Sequence, residues 1–130
     1  MKIAIDMHGV IDAVPEFFRE LTESFWNNGN DIHILTGATL KDGKIENQLN
    51  SLGIYYTKLF SIVDYHESIG TEIIYEENGP WMDGTLWDEA KGNYCKHHQI
   101  DFIIDDTLRY SKFTDCPFLH LNIIQKSNDL

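Results

Sequence analysis

The sequence predicts an α/β protein, a doubly wound parallel sheet with helices on both of its faces. Three observations lead there. Short runs rich in Ile and Leu alternate with amphipathic stretches of helical period, a pattern that favours parallel strands joined by crossover helices. Two of those runs end on acids, Lys2-Ile3-Ala4-Ile5-Asp6 and Asp101-Phe102-Ile103-Ile104-Asp105-Asp106. At 130 residues, 42% of them hydrophobic, the chain suits one compact domain over residues 1–130, and no second domain is expected.

Lys2 to Asp6 reads as a buried strand that delivers a carboxylate to a sheet edge. Val14, Phe17, Phe18, Leu21 and Phe25 follow at helical spacing, and Asn28-Gly29 supplies the stop. Asp31 to Thr36 is the next strand, ending on a hydroxyl before Gly37. Ile45, Leu49 and Leu52 share a helix face that stops at Gly53, and Ile54 to Phe60 reads as a third strand. Ile62 to Gly70 is ambiguous, with a short helix as one reading. Thr71 to Tyr75 and Trp81 to Trp87 flank the turn-forming Glu76-Glu77-Asn78-Gly79-Pro80, which predicts a small β-hairpin insert at about 71–87. Core packing is the ordinary fate of its aromatics Tyr75, Trp81 and Trp87, and lining a specificity loop is the alternative. Asp83-Gly84-Thr85 follows a loop rather than a strand and reads as turn chemistry. From Asp88 the chain is helical again, with Lys91 near the start. Pro117 to Leu121 adds a last strand, and Gln125 to Leu130 reads as a loose polar tail.

Ten basic residues against twenty-one acidic give a net charge of -11, which repels phosphate backbones and argues against non-specific nucleic-acid binding. Two cysteines, Cys95 and Cys116, and the lack of any signal-like or membrane-spanning stretch lead to the expectation of a cytoplasmic protein with free thiols and no membrane contact. Cys95, His97, His98, Cys116 and His120 fit no common zinc spacing, and Cys95 is more simply a small buried apolar residue.

Ligands of open α/β sheets bind beyond the carboxyl ends of the strands, so Asp6, Thr36, Lys91 and the Asp105-Asp106 pair are the candidate site. Each has an ordinary reading as well. Asp6 can cap a helix, Thr36 can serve a turn, and Lys91, with Lys96 as rival, can be a solvated helix lysine. The acidic pair is the more specific signal, because adjacent carboxylates repel unless a cation or donors reward them.

The order and types of these residues resemble the haloacid dehalogenase-like phosphohydrolase superfamily over Lys2 to Asp106. Ile5-Asp6-Met7-His8-Gly9-Val10 and Ile104-Asp105-Asp106 look most like its small 5'-nucleotidase-type branch. The resemblance implies a Rossmann-like sheet, capless or with the small hairpin in place of a cap. It also implies a Mg2+-dependent phosphatase that hydrolyses a phosphomonoester, nucleotides first, through an aspartyl-phosphate on Asp6. Asp6, the backbone carbonyl of His8, and Asp105 or Asp106 are the implied metal ligands. Thr36, Gly37 and Lys91 are implied to hold the substrate phosphate.

His8 departs from that family, which carries an acid/base Asp at this position. Either the imidazole takes over proton transfer, or efficient hydrolysis is lost and a phosphate- and metal-binding module or a phosphotransferase remains. A third option is that Asp12 reaches the site. A receiver domain also uses acids, Thr and Lys at strand ends, but it carries its acidic pair early, whereas here the pair comes late. Substrate identity and oligomeric state are not legible in the sequence.

Overall fold

The computed structural model describes residues 1–123, and the polar tail predicted for Gln125 to Leu130 lies outside the described residues. In chain order the elements are β1 (Lys2–Asp6), α1 (Pro15–Asn27), β2 (Asp31–Thr36), α2 (Lys44–Leu52), β3 (Lys58–Ser61), α3 (Ile62–Ser68), β4 (Ile74–Glu76), β5 (Gly79–Trp81), α4 (Gly84–His97), β6 (Phe102–Asp105) and β7 (Phe118–His120). Five strands form one parallel sheet in the order β3-β2-β1-β6-β7. The chain leaves central β1 toward β2 and β3, then returns to the other side through β6 and β7. The order therefore reverses beside β1, and the carboxyl ends of β1 and β6 face the crevice where such sheets take their ligands.

Side chains alternate along each strand and so feed two cores. Ile3, Ile5, Ile32, Ile34 and Ile104 pack with Phe18 of α1 and Ile45 and Leu49 of α2. Ala4, Leu35 and Ile103 face the opposite way, toward Cys95 of α4. Asp6 and Asp105 fall in the second set by the same alternation, and this aims both carboxylates at α4.

Several boundaries differ from expectation. The buried face of α1 runs through Phe18, Leu21, Thr22 and Phe25, while Phe17 is 58% exposed. Thr22 takes an apolar position because its hydroxyl donates to the Phe18 carbonyl at 2.6 Å and accepts the Tyr55 N–H at 3.2 Å. The third strand is only Lys58–Ser61, since residues 54–57 run irregularly from the stop at Gly53. The ambiguous segment is α3, capped by Ser61, whose hydroxyl accepts the Asp64 N–H at 3.1 Å. The hairpin is real but short, β4 against antiparallel β5. Trp87 belongs to α4, which starts at Gly84 rather than Asp88, because the Asp83 carboxylate caps it by accepting the Leu86 N–H at 3.0 Å. Tyr75 and Trp81 are exposed instead of packed in a core, because the two-stranded hairpin has no second layer over it.

Polar side chains hold these pieces at the carboxyl edge. The Asp64 carboxylate accepts the Thr39 hydroxyl at 2.6 Å and the Leu40 N–H at 2.8 Å, which fixes the loop after β2. The His66 ring, buried on α3, lies 2.8 Å from the Thr71 hydroxyl and 3.3 Å from the Leu86 carbonyl. It thus ties α3 to the hairpin entry and to the start of α4. No helix among the described residues is long and apolar enough to cross a membrane.

Candidate metal and phosphate site

Ile5 pairs in register with Ile104, so Asp6 and Asp105 follow side by side at the carboxyl edge of β1 and β6. Lys91, one face of α4 below them, reaches up between the two. Its Nζ lies 2.7 Å from Asp6 Oδ1 and 2.7 Å from Asp105 Oδ2, and all three side chains are buried. Lys96, the rival lysine, is exposed and faces Asp115. Asp6 occupies the cap position of the turn Met7–Ile11 but makes no capping hydrogen bond, so its carboxylate is committed to the site.

The turn after β1 is shaped by Gly9. Its φ of +83° is open to glycine and costly for other residues, and a Cβ there would collide with the Asp106 carboxylate. Asp106 therefore folds over the bare glycine toward Asp6. One carboxylate oxygen from each of Asp6, Asp105 and Asp106 lies within 4.8 Å of the others, and no other such group of His, Cys, Asp or Glu occurs among the described residues. All three donors are oxygens, which suits a hard divalent cation better than the thiolate and imidazole ligands of zinc. The cluster can hold such an ion.

Charge in the site is finely set. Burial pushes the Asp6 carboxyl up to about 7, against the downward pull of Lys91 and with further upward push from Asp105. Burial also raises Asp105, partly countered by Lys91 and by the Thr107 N–H that donates to Asp105 Oδ1 at 2.9 Å. For Lys91 burial works against the ammonium, but the two carboxylates outweigh it and hold its pKa above the ordinary value.

A cavity of about 200 Å³ opens over the cluster, lined by Asp6, Lys91 and Asp106 together with His8, Gly37 and Trp87. Thr107, Ile62 and Tyr110 complete its wall. The predicted Asp6, His8, Gly37, Lys91 and Asp106 thus meet at one opening, with Asp105 beneath. Thr36 is buried at the end of β2 outside that lining, its hydroxyl accepting the Ala38 N–H at 3.1 Å. His8 is half exposed, with Nδ1 3.2 Å from Asp12 Oδ2, and Asp12 also accepts the Gly9 N–H at 2.7 Å. Asp12 therefore braces His8 and its loop from outside rather than entering the cavity.

Sequence reasoning missed Thr107 and Tyr110. Thr107 directly follows the acidic pair, and a hydroxyl and N–H at that point are a natural source of donors, so its position was readable. Tyr110 was not. It sits in a 3-10 turn over Leu108–Phe113, takes a 3.0 Å hydrogen bond from Trp87 Nε1, and lies with its ring 5.2 Å from Lys91 Nζ. Trp87 in turn packs on Gly37, where a Cβ would stand 2.6 Å from the indole.

Neither a scan against protein-family models nor a search of curated proteins finds a match to this chain. The architecture itself is a parallel sheet flanked by helices, consistent with haloacid dehalogenase-like proteins in general, and it carries a carboxylate cluster of the kind a phosphohydrolase site needs.

Proposed function

We propose that the chain is a Mg2+-dependent phosphohydrolase of the haloacid dehalogenase-like kind, a single domain that hydrolyses a small phosphomonoester. The observation that carries this reading is Lys91 Nζ held 2.7 Å from both Asp6 and Asp105, with Asp106 completing three carboxylates at one cavity. Nucleoside monophosphates are the first substrates to try, on motif resemblance alone. The free thiols Cys95 and Cys116 support a cytoplasmic setting.

Asp6, Asp105, Asp106 and the His8 carbonyl would hold the ion, which when bound supplies the positive charge that lets a phosphoryl group approach a carboxylate. Asp6 attacks phosphorus, a phosphoaspartate forms, and the bond to the leaving oxygen breaks. His8, protonated at that moment, gives its proton to the leaving alkoxide. The neutral imidazole then takes a proton from the water that opens the phosphoaspartate, releasing phosphate and restoring Asp6. Lys91 offsets charge on the phosphoryl oxygens, and the Gly37 backbone donates to them. Asp12 on Nδ1 leaves Nε2 of His8 for this proton traffic.

The exposure of His8 favours one second reading, a phosphate- and metal-binding module without turnover. Phosphate release from a panel of phosphomonoesters, with and without Mg2+, separates the two when the parent is compared with Asp6→Asn and His8→Asp. Mg2+-dependent release that vanishes in Asp6→Asn and falls in His8→Asp supports the hydrolase. Silence from the parent with turnover by His8→Asp supports the module, and release unchanged in Asp6→Asn refutes both.

A further inference from the structure

A second cleft, about 520 Å³ in volume, opens between α3 and α4 on the face of the sheet that α4 covers. Its volume falls in the range of small-molecule sites, and its walls are mostly aromatic. Phe60, Tyr94 and His98 form a continuous tilted stack, with ring centroids 4.4 Å apart for the first pair and 4.1 Å for the second. Tyr65 adds a ring 5.9 Å from Phe60 and is 45% exposed, while Asn93 and His97 supply polar edges.

The stack is braced from beneath. His33 on β2 is buried, with Nδ1 2.7 Å from the Tyr94 hydroxyl, so the Tyr94 ring is held in place. Burial holds both His33 and His98 below the ordinary imidazole range, which keeps these rings neutral and suited to stacking. Lys58 pairs in register with His33 and shares its face with Phe60, and Lys2 Nζ donates to the His98 carbonyl at 3.5 Å. Asp31 is the acid that also acts on His33. Lys58 and Lys2 stand just outside the lining, close enough to act on His98, with Asp31 and Asp101 as the neighbouring acids, so on a chain of net charge -11 this is a place where acids do not outnumber cations and an anion meets less repulsion.

We propose that this cleft is a binding site, separate from the acidic cavity, for a small planar aromatic anion. The ring lies on the Phe60–Tyr94–His98 wall, and its negative group meets Lys58 and Lys2. The inference does not rest on the phosphohydrolase reading, because no residue of the acidic cavity takes part in it.

Calorimetric titration and amide chemical shifts of the full chain test it with three probes, 2-naphthalenesulfonate, neutral 2-naphthol and non-planar cyclohexanesulfonate. The expected result is saturable binding of 2-naphthalenesulfonate, with the other two about tenfold weaker or more, and shifts centred on Tyr94 and His98. Asn93→Trp, a surface substitution that fills the cleft, removes binding without altering the melting temperature. Tyr65→Ala weakens it, and Lys58→Glu weakens it about threefold to tenfold, as loss and reversal of one exposed charge would. No saturable heat at millimolar probe, equal binding of all three probes, or shifts centred elsewhere would each overturn the proposal. So would a dimer in sedimentation that Asn93→Trp dissolves, which would assign the cleft to a second copy of the chain.

Discussion

Replacing Lys91 with methionine tests the charge arrangement directly, because methionine keeps most of the side-chain volume and removes only the ammonium. Two buried carboxylates then lose their shared cation. Breaking a buried ion pair in this way costs about 3–5 kcal/mol near neutrality. The dependence on pH is the sharper part. The folded pKa values of Asp6 and Asp105 lie above their ordinary values, so between the ordinary range and the folded value the native state holds protons that the unfolded chain releases. Stability therefore falls as pH rises through that window, which ends at about 7 for Asp6 in the parent. Lys91 has the same sign in a higher window: its raised pKa adds stability that is fully present below its ordinary value and is lost as pH climbs through the folded one. Without it Asp6 stays protonated above the value of about 7 that it has in the parent, and each pH unit well beyond that point costs the variant about 1.4 kcal/mol more than the parent. Urea denaturation at about pH 7 and about pH 8, with no divalent ion present, should show the gap widening by about 1 kcal/mol. A penalty equal at both pH values would mean that Lys91 contributes only the packing of its stem, and the reasoning would fail.

Three further outcomes follow from the same geometry. Mg2+ should raise the melting temperature, more at about pH 8 than at about pH 6 because protons compete for the same carboxylates, and Asp106→Asn should remove most of the rise. Gly9→Ala should cost about 1–3 kcal/mol in thermal unfolding and weaken that metal response, since it combines a φ of +83° with a collision against the Asp106 carboxylate. Asp12→Ala, which frees His8 and the Gly9 N–H, should lower kcat about tenfold or more with KM little changed, read in steady-state phosphate release.

The parallel sheet was legible because apolar runs and helical stripes alternate over most of the chain, and the acids fall at the ends of the runs. Asp6, Asp105 and Lys91 were legible from order alone, although nothing in the sequence says that one lysine bridges both acids. That contact depends on the strand register, Ile5 against Ile104, which only the assembled sheet fixes. The Phe17 error has a local cause. Phe17 and Phe18 both fit an apolar stripe, and the choice between them is made by Thr22, a polar residue that passes as core once its hydroxyl is satisfied within the helix. The start of α4 was missed because Asp83-Gly84-Thr85 looks like a turn whether or not a helix follows. Thr36 illustrates the limit at the site. Its place at the end of β2 was correct, but a one-residue step decides that Gly37 rather than Thr36 lines the cavity.

The arrangement of charges argues for a purpose beyond holding α4 to the sheet. One buried carboxylate paired with Lys91 would be enough for that, at a modest cost in desolvation. Here a second buried carboxylate shares the lysine, and a third folds over Gly9 to stand within 4.8 Å of both. Each added acid raises repulsion, and Asp6, pushed up to about 7 chiefly by burial and further by Asp105, stands there in spite of the downward pull of Lys91. Fully ionised, three carboxylates and one ammonium leave a surplus of two negative charges, the charge of one divalent cation. A purely structural cluster gains nothing from that surplus. A site meant to take a cation and then a phosphoryl group needs both features, the unmet negative charge for the first and the adjacent Lys91 for the second.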